Sequence, residues 1–333
     1  MIWKNAELFN VSEMEEQADG SIRVYRFPQR VRAVFEEGAE LFKVVGELTT
    51  GCELRFVGEA ADVTLSSNEE GTVEIYRGDF LHGIVRLRKN EPQKIELRTN
   101  LSVDKYDISG YKETFSTAVW RVISDHDMSV TFHALDAIKP IRPPKVEELP
   151  RKKLLAYGSS ITHSAIALHY TNSYIATVGR LLGVDVLNKG MGGSCFCQKE
   201  VGDYIASEDW DIATLELGIN MLESVPVEEY EKRAEYIVKR ALEKGKPVVM
   251  ISNFTSFRDF PNDKFKEKND AYVRCYERIY ERLQCENLYY IRGRDIITDI
   301  GYLAADLIHP SPYGHGEMGR KIAKKMRDEF HII

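Results

Sequence analysis

Three prolines, Pro140, Pro143 and Pro144, fall within five positions near the middle of the 333-residue chain. Proline fixes φ and gives no backbone N–H, so this stretch can be neither helix interior nor central strand. It reads as a stiff linker over 141–150, and the hydrophobic period differs on its two sides. The sequence therefore predicts two modules, 1–140 and 151–333, each long enough to build its own core.

The first module has the period of strands. Cys52, Leu54 and Phe56 alternate with polar neighbours, as do Val63 and Leu65, Val73 and Ile75, and Ile95 and Leu97. Turn-forming clusters such as Arg77-Gly78-Asp79 and Lys89-Asn90-Glu91-Pro92 separate these runs, which predicts an all-β, jelly-roll-like sandwich. No helix is expected in this half. His82, His126 and His133 are scattered singly, and the aromatics Tyr76, Phe80, Tyr106, Tyr111 and Trp120 read as core residues, with stacking on sugar rings as the functional alternative.

Past the linker, short apolar runs alternate with amphipathic patterns. Strands are expected at 154–157, 184–187, 212–217, 248–252 and 288–291. Helices are expected at 173–182, 228–244, 270–284 with Asn269 as N-cap, and 315–330. That alternation predicts a parallel sheet covered on both faces. Such sheets bind ligands at the carboxyl ends of their strands. Four segments rich in small and reactive residues fall there: Gly158-Ser159-Ser160, Asn188-Lys189-Gly190-Met191-Gly192-Gly193-Ser194, Leu217-Gly218-Ile219-Asn220 and Asp306-Leu307-Ile308-His309.

In the last segment the acid precedes the histidine by three positions, which lets the carboxylate reach the ring Nδ1–H and fix the tautomer. His163, three residues past Ser160, is the rival base, but no acid lies beside it; its other reading is a rim residue. His169 and His315 read as solvated. The amide of Ser160, the amide of Gly193 and the side-chain amide of Asn220 are candidate donors to an oxyanion, against the plainer readings of a turn and a helix cap. The stretch 253–268, with Phe254, Phe257, Arg258, Phe260 and Phe265, is long for a βα connection and reads either as a substrate wall or as a surface insertion.

The order and context of the four segments resemble the SGNH, or GDSL, hydrolase family. The resemblance implies a flavodoxin-like α/β fold over 151–333 and makes Ser160 the nucleophile, with His309 as base, Asp306 as its partner, and Ser160, Gly193 and Asn220 as the oxyanion hole. Two departures stand out. Ser159 occupies the place of the family's aspartate and so removes a carboxylate from the turn, and Met221 follows Asn220 where an aspartate is usual. A sandwich ahead of the hydrolase block is similar to the layout of some carbohydrate esterases. The expected function is thus a serine esterase for short acyl groups on sugars, working through an acyl-serine without metal or organic cofactor. The alternatives are an acyltransferase or thioesterase using the same site, and an inactive sugar-binding module.

Charge and composition agree with that. A formal net charge of −7 disfavours nucleic acid as partner, because phosphate neutralisation needs a basic face. No apolar run is long enough to span a bilayer. The opening Met1-Ile2-Trp3-Lys4-Asn5 has neither a basic region nor an apolar core of the secretory kind, so a cytoplasmic location is expected. Five cysteines, Cys52, Cys195, Cys197, Cys275 and Cys285, are odd in number and unevenly spaced, which suits reduced thiols. The expected partner is a small acylated saccharide, with a homo-oligomer possible.

Overall fold

In a computed structural model, residues 1–98, 102, 105–108, 110 and 112–333 are described. Tyr111 lies outside them. The chain divides into two compact units, one formed by 1–29, 46–151 and 183–185, the other by 30–45, 152–182 and 186–333.

Among the described residues the first unit contains eleven strands: β1 (Ile2–Trp3), β2 (Ala6–Phe9), β3 (Glu13–Glu16), β4 (Ile22–Tyr25), β5 (Glu53–Val57), β6 (Ala60–Ser67), β7 (Gly71–Arg77), β8 (Phe80–Leu87), β9 (Gln93–Arg98), β10 (Val119–Ser124) and β11 (Val130–Ala137). They form two sheets, in the orders β1-β2-β5-β10-β7-β8 and β3-β4-β11-β6-β9. The period-two pattern has its expected consequence on β6, where Ala61, Val63 and Leu65 are buried and their neighbours are not. These residues meet Leu54, Phe56, Val73, Ile75 and Trp120 of the other sheet in one core. Each such buried side chain contributes about 1.5–3 kcal/mol. The proline segment packs here too. Arg142 exchanges backbone hydrogen bonds with Val57, and its guanidinium grips Glu148 at 2.6 and 2.7 Å.

One expectation for this half fails. Residues 29–47 fold as two helices, α1 (Gln29–Glu36) and α2 (Glu40–Glu47), and 30–45 cluster with the second unit. Val31 and Phe35, four apart, are both buried, which is the helical period in a segment too short to stand out among strands.

The second unit has the strands β12 (Lys153–Gly158), β13 (Asp185–Gly190), β14 (Ile212–Glu216), β15 (Val248–Ile251) and β16 (Leu288–Ile291). Their order is β13-β12-β14-β15-β16, with β12, β14, β15 and β16 paired in parallel. Every residue of β14 and β15 is buried, the signature of a sheet covered on both faces. The helices are α3 (Ser160–His163), α4 (Tyr174–Leu182), α5 (Lys199–Ser207), α6 (Val227–Leu242), α7 (Lys266–Leu283) and α8 (Pro312–Lys324). Helix α4 packs on α8, and α6 on both α5 and α7. The strand order is the flavodoxin-like one, whose switch point lies between the first and third strands, here β12 and β14.

Element ends shift by a few residues from expectation, and two differences matter for the helices. Helix α7 starts at Lys266, so Asn269 is inside it rather than its cap; its buried side chain donates to Asp259 at 3.0 Å and accepts from Asn253 at 2.8 Å. Helix α5, which the sequence reading did not name, buries Val201, Tyr204 and Ile205.

Candidate active site

Strand β12 ends at Gly158, where a side chain would collide with Thr162 and Glu216. Only glycine lets the strand approach this closely. Ser159 then caps α3, its Oγ accepting from the Ile161 amide at 3.2 Å, and Ser160 opens the helix with its side chain half-buried. The helix lasts four residues, because Ser164 turns into the left-handed region at φ 87°.

Ser160 Oγ lies 2.7 Å from His309 Nε2. On the far side of the ring, Nδ1 lies 2.7 Å from Asp306 Oδ2. The other carboxylate oxygen accepts from the amides of Ile308 and His309, each at 3.0 Å. Partial burial would raise the Asp306 carboxyl, but the hydrogen bonds from His309 and from the two amides outweigh it and hold it below its usual range. An ionised Asp306 only accepts, so Nδ1 carries the proton and Nε2 is left to accept from the serine hydroxyl. The loop itself is fixed. Leu307 adopts φ 55°, its amide bonds to Ala304 O, Ala304 bonds to His309 O, and Phe257 N donates to Leu307 O at 2.8 Å.

The glycine loop after β13 closes the third side. Asn188 ties it down, its side chain donating to Thr162 O at 2.8 Å and accepting from Gly190 N at 2.9 Å. A Cβ on Gly192 would sit 3.8 Å from that of Ser160. Gly193 follows at φ 66°. Asn220 lies in the turn Ile219–Met221 after β14, entered through Gly218 at φ 133°. Its Oδ1 accepts from Cys195 N at 3.2 Å, which turns Nδ2, a pure donor, the other way. Among the described residues no hydrogen bond is formed by Asn220 Nδ2, Ser160 N or Gly193 N. Met221, in place of the expected acid, is buried and accepts through its carbonyl from Tyr272.

Three histidine readings need sorting. His163 is not a rim residue: it is buried, and its ring backs the glycine loop at Gly192, while the contact to Ser160 Oγ is made by His309. His315 is not solvated but fully buried, accepting at Nδ1 from Tyr174 N and facing Ala165 O with Nε2. His169 is half-buried. In the 253–268 stretch, Phe254 is buried against Tyr174. Phe257 and Phe265 flank the Arg258 guanidinium at 4.4 and 4.9 Å, which also pairs with Glu223 and Asp263. These rings pack within the loop, and through Phe257 N the loop steadies the His309 turn.

Glu216 was missed by the sequence reading. It closes β14 directly opposite Gly158, is buried, and accepts through Oε2 from Ser159 N and Ser159 Oγ, both at 2.7 Å, and from Thr162 Oγ1 at 3.1 Å. The available signal was an acid inside an otherwise apolar strand, since glutamate is rarely buried without purpose. A second unexpected contributor is α2. Leu41 faces Gly193, where an added Cβ would be 2.8 Å from its Cδ2, and the Phe42 and Phe196 rings meet at 4.9 Å.

The sequence profile of the GDSL-like lipase/acylhydrolase family matches residues 151–327, more than half the chain. The chain belongs to that family. It is accordingly an esterase or acylhydrolase. Several solved structures share the fold along nearly the whole GDSL-family chain. The salicylyl-acyltransferase SsfX3 of a tetracycline biosynthetic pathway has TM-score 0.80 at 13% identity, over 97% of this chain and 94% of its own. A GDSL-like lipase from Bacteroides ovatus has TM-score 0.69 at 17% identity, over 98% and 96%. A family two carbohydrate esterase from Cellvibrio japonicus has TM-score 0.65 at 14% identity, over 99% and 96%. No curated protein matches the sequence. Among the described residues no helix is long and apolar enough to cross a membrane.

Proposed function

We propose that this GDSL-family protein is a serine esterase that removes short acyl groups, acetyl foremost, from sugars or oligosaccharides. The observation that carries the chemistry is the hydrogen-bonded row Ser160–His309–Asp306, with both ring nitrogens of His309 engaged at 2.7 Å. Ser160 Oγ attacks the ester carbonyl while its proton passes to His309 Nε2. The developing oxyanion is met by the amides of Ser160 and Gly193 and by Asn220 Nδ2. As the tetrahedral intermediate collapses, the C–O bond to the alcohol breaks and His309 returns the proton to the leaving oxygen. Water, deprotonated by the same nitrogen, then hydrolyses the acyl-Ser160 ester and releases the acid. Asp306 stays ionised and stabilises the imidazolium formed in each half.

The sugar assignment draws support from the shared fold with carbohydrate esterases, one of which, from Clostridium thermocellum, was solved in complex with cellohexaose. Short acyl chains are favoured because Phe257 and Phe265 are engaged with Arg258 of their own loop and Phe254 is buried against Tyr174. A groove for a long chain would gain about 0.8 kcal/mol per buried methylene. The experiment is to compare kcat/KM for p-nitrophenyl acetate and octanoate, then to measure acetate released from a panel of acetylated saccharides, with Ser160→Ala as control. Preference for acetate and activity on at least one saccharide support the proposal; preference for octanoate overturns it. Loss of Ser160 should cost on the order of a million-fold. A second reading, acyl transfer to an acceptor other than water, rests on the likeness to the salicylyl-acyltransferase. The acyl group would then appear on the acceptor rather than as free acid.

A further inference from the structure

The turn that carries Ser160 is held from below by one oxygen atom. Parallel pairing sets Glu216 beside Gly158, and Glu216 Oε2 takes hydrogen bonds from residues on both sides of the nucleophile: the amide and hydroxyl of Ser159, and the hydroxyl of Thr162. The Thr162 hydroxyl has a single proton and spends it on Glu216, so the 2.7 Å contact with Tyr174 must run from the tyrosine O–H to Thr162 Oγ1. Ser159 Oγ accepts in turn from Ile161 N. Residues 159, 161 and 162 are thereby tied to a single carboxylate, and position 159 itself has none.

We infer that Glu216 is a positioning residue for the nucleophile, and that its ionised carboxylate is the form that holds the turn. The inference rests on the reading of Ser160 as nucleophile. Hydrogen bonds to an ionised acceptor are shorter and stronger than those to a neutral one. The neutral form would carry its proton either on Oε1, which is buried without a partner, or on Oε2, where it would displace one of the three donors. The titratable groups facing Glu216 are Tyr174 of α4, Cys195 of the glycine loop and Tyr276 of α7, and burial pushes the pKa of all three upward, so they stay neutral. No cation pairs with the carboxylate among the described residues. Burial accordingly drives the Glu216 carboxyl up to about 7, against the lowering effect of the Ser159 and Thr162 bonds. The ionisation that holds the turn therefore falls near neutral pH.

The test is the pH dependence of kcat and KM for p-nitrophenyl acetate between pH 5 and 9, in wild type, Glu216→Gln and the double variant Ser159→Asp/Glu216→Gln. At pH 8, Glu216→Gln should lower kcat roughly ten- to a hundred-fold with little change in KM, and its acid limb should be shallower than that of wild type. The double variant returns a carboxylate to the turn from the other side and should recover most of the loss. A wild-type kcat and acid limb in Glu216→Gln would overturn the inference, and so would a double variant no better than Glu216→Gln. Should Glu216→Gln lose its near-UV circular dichroism, Ser159→Ala and Thr162→Val each remove one donor to Oε2. Each must then lower kcat several-fold, and normal kcat in both overturns the inference. A wild-type protein no more active than Ser160→Ala on any ester refutes the proposed function and takes this inference with it, an outcome distinct from a Glu216→Gln enzyme that matches an active wild type.

Discussion

Glu53 of the sandwich and Glu216 of the hydrolase unit are both buried, and they are treated in opposite ways. In the sandwich, Glu53 of β5 meets Arg55 Nε at 2.7 Å and Arg121 at 2.7 and 2.8 Å. Burial by itself would raise its carboxyl, but the charges of Arg121 and Arg55 and their hydrogen bonds bring it to about 2. In the hydrolase unit, Glu216 is as deeply buried but meets only hydroxyls and an amide, and burial wins. A carboxylate with a purely structural task is neutralised by cations. The one beneath the candidate nucleophile is left without them, so its charge remains free to respond to pH. Neutralising each carboxylate should therefore affect the two units in opposite ways, which makes the pair open to direct test.

The largest effect is expected from Glu53→Gln, which leaves the Arg121 guanidinium against a neutral partner while Arg55 keeps its pair with Asp185 at 2.6 and 2.8 Å. Breaking a buried ion pair from one side costs about 3–5 kcal/mol, read as a fall in the denaturant midpoint of the sandwich, with kcat on esters retained. A loss below about 1 kcal/mol would mean that water reaches the cluster and that the contrast with Glu216 is overstated. The next effect is a linkage. The Glu216 carboxyl lies above its unfolded value of 4.5 when folded, so its contribution to stability is present below 4.5 and is lost as pH rises through about 7. A displacement of that size is worth on the order of 3 kcal/mol. Wild type should therefore lose ground to Glu216→Gln between pH 4 and pH 8 in paired unfolding titrations. Glu53 runs the other way: its contribution is present above 4.5 and is lost only as pH falls through about 2. A constant difference between wild type and Glu216→Gln across the range would break the comparison. The smallest effect is Ser159→Ala, which removes a helix cap and one donor to Glu216, for about 1 kcal/mol of stability.

The parts of this molecule that could be read in advance are those whose signal lies within a few residues of chain. Strands β12 and β14 to β16 announce themselves as apolar runs, and Asp306 and His309 lie three positions apart, so their partnership is local. Glu216 could not be assigned that way. Its meeting with Ser159 depends on the register of two parallel strands 57 positions apart, and the family resemblance drew attention to the residue missing at 159 rather than to its counterpart on the next strand. His315 was misplaced for a related reason. It shares a helix face with Met318 and Ile322, three and seven positions on, but that face is buried only because Gly319 lets α8 press against Thr177 of α4, with the imidazole against Tyr174. Helices α1 and α2 escaped because eight residues each, separated by Gly38, give too short a periodic signal in a half dominated by strands.

Those two helices carry a consequence in time. Residues 30–45 belong to the second unit, and Leu41 and Phe42 pack on the loop that holds Gly193 and Phe196. At about 5–20 residues per second, a ribosome releases α2 well before the strand and loop it must meet. During that interval the apolar faces of Val31, Phe35 and Phe42 have no home within their own unit. The second unit is thus completed around a piece made before any of its strands. A fragment starting at 151 would span the family-matched region and still lack the side chains that cover its glycine loop, so the shortest chain expected to fold this unit completely begins before residue 30.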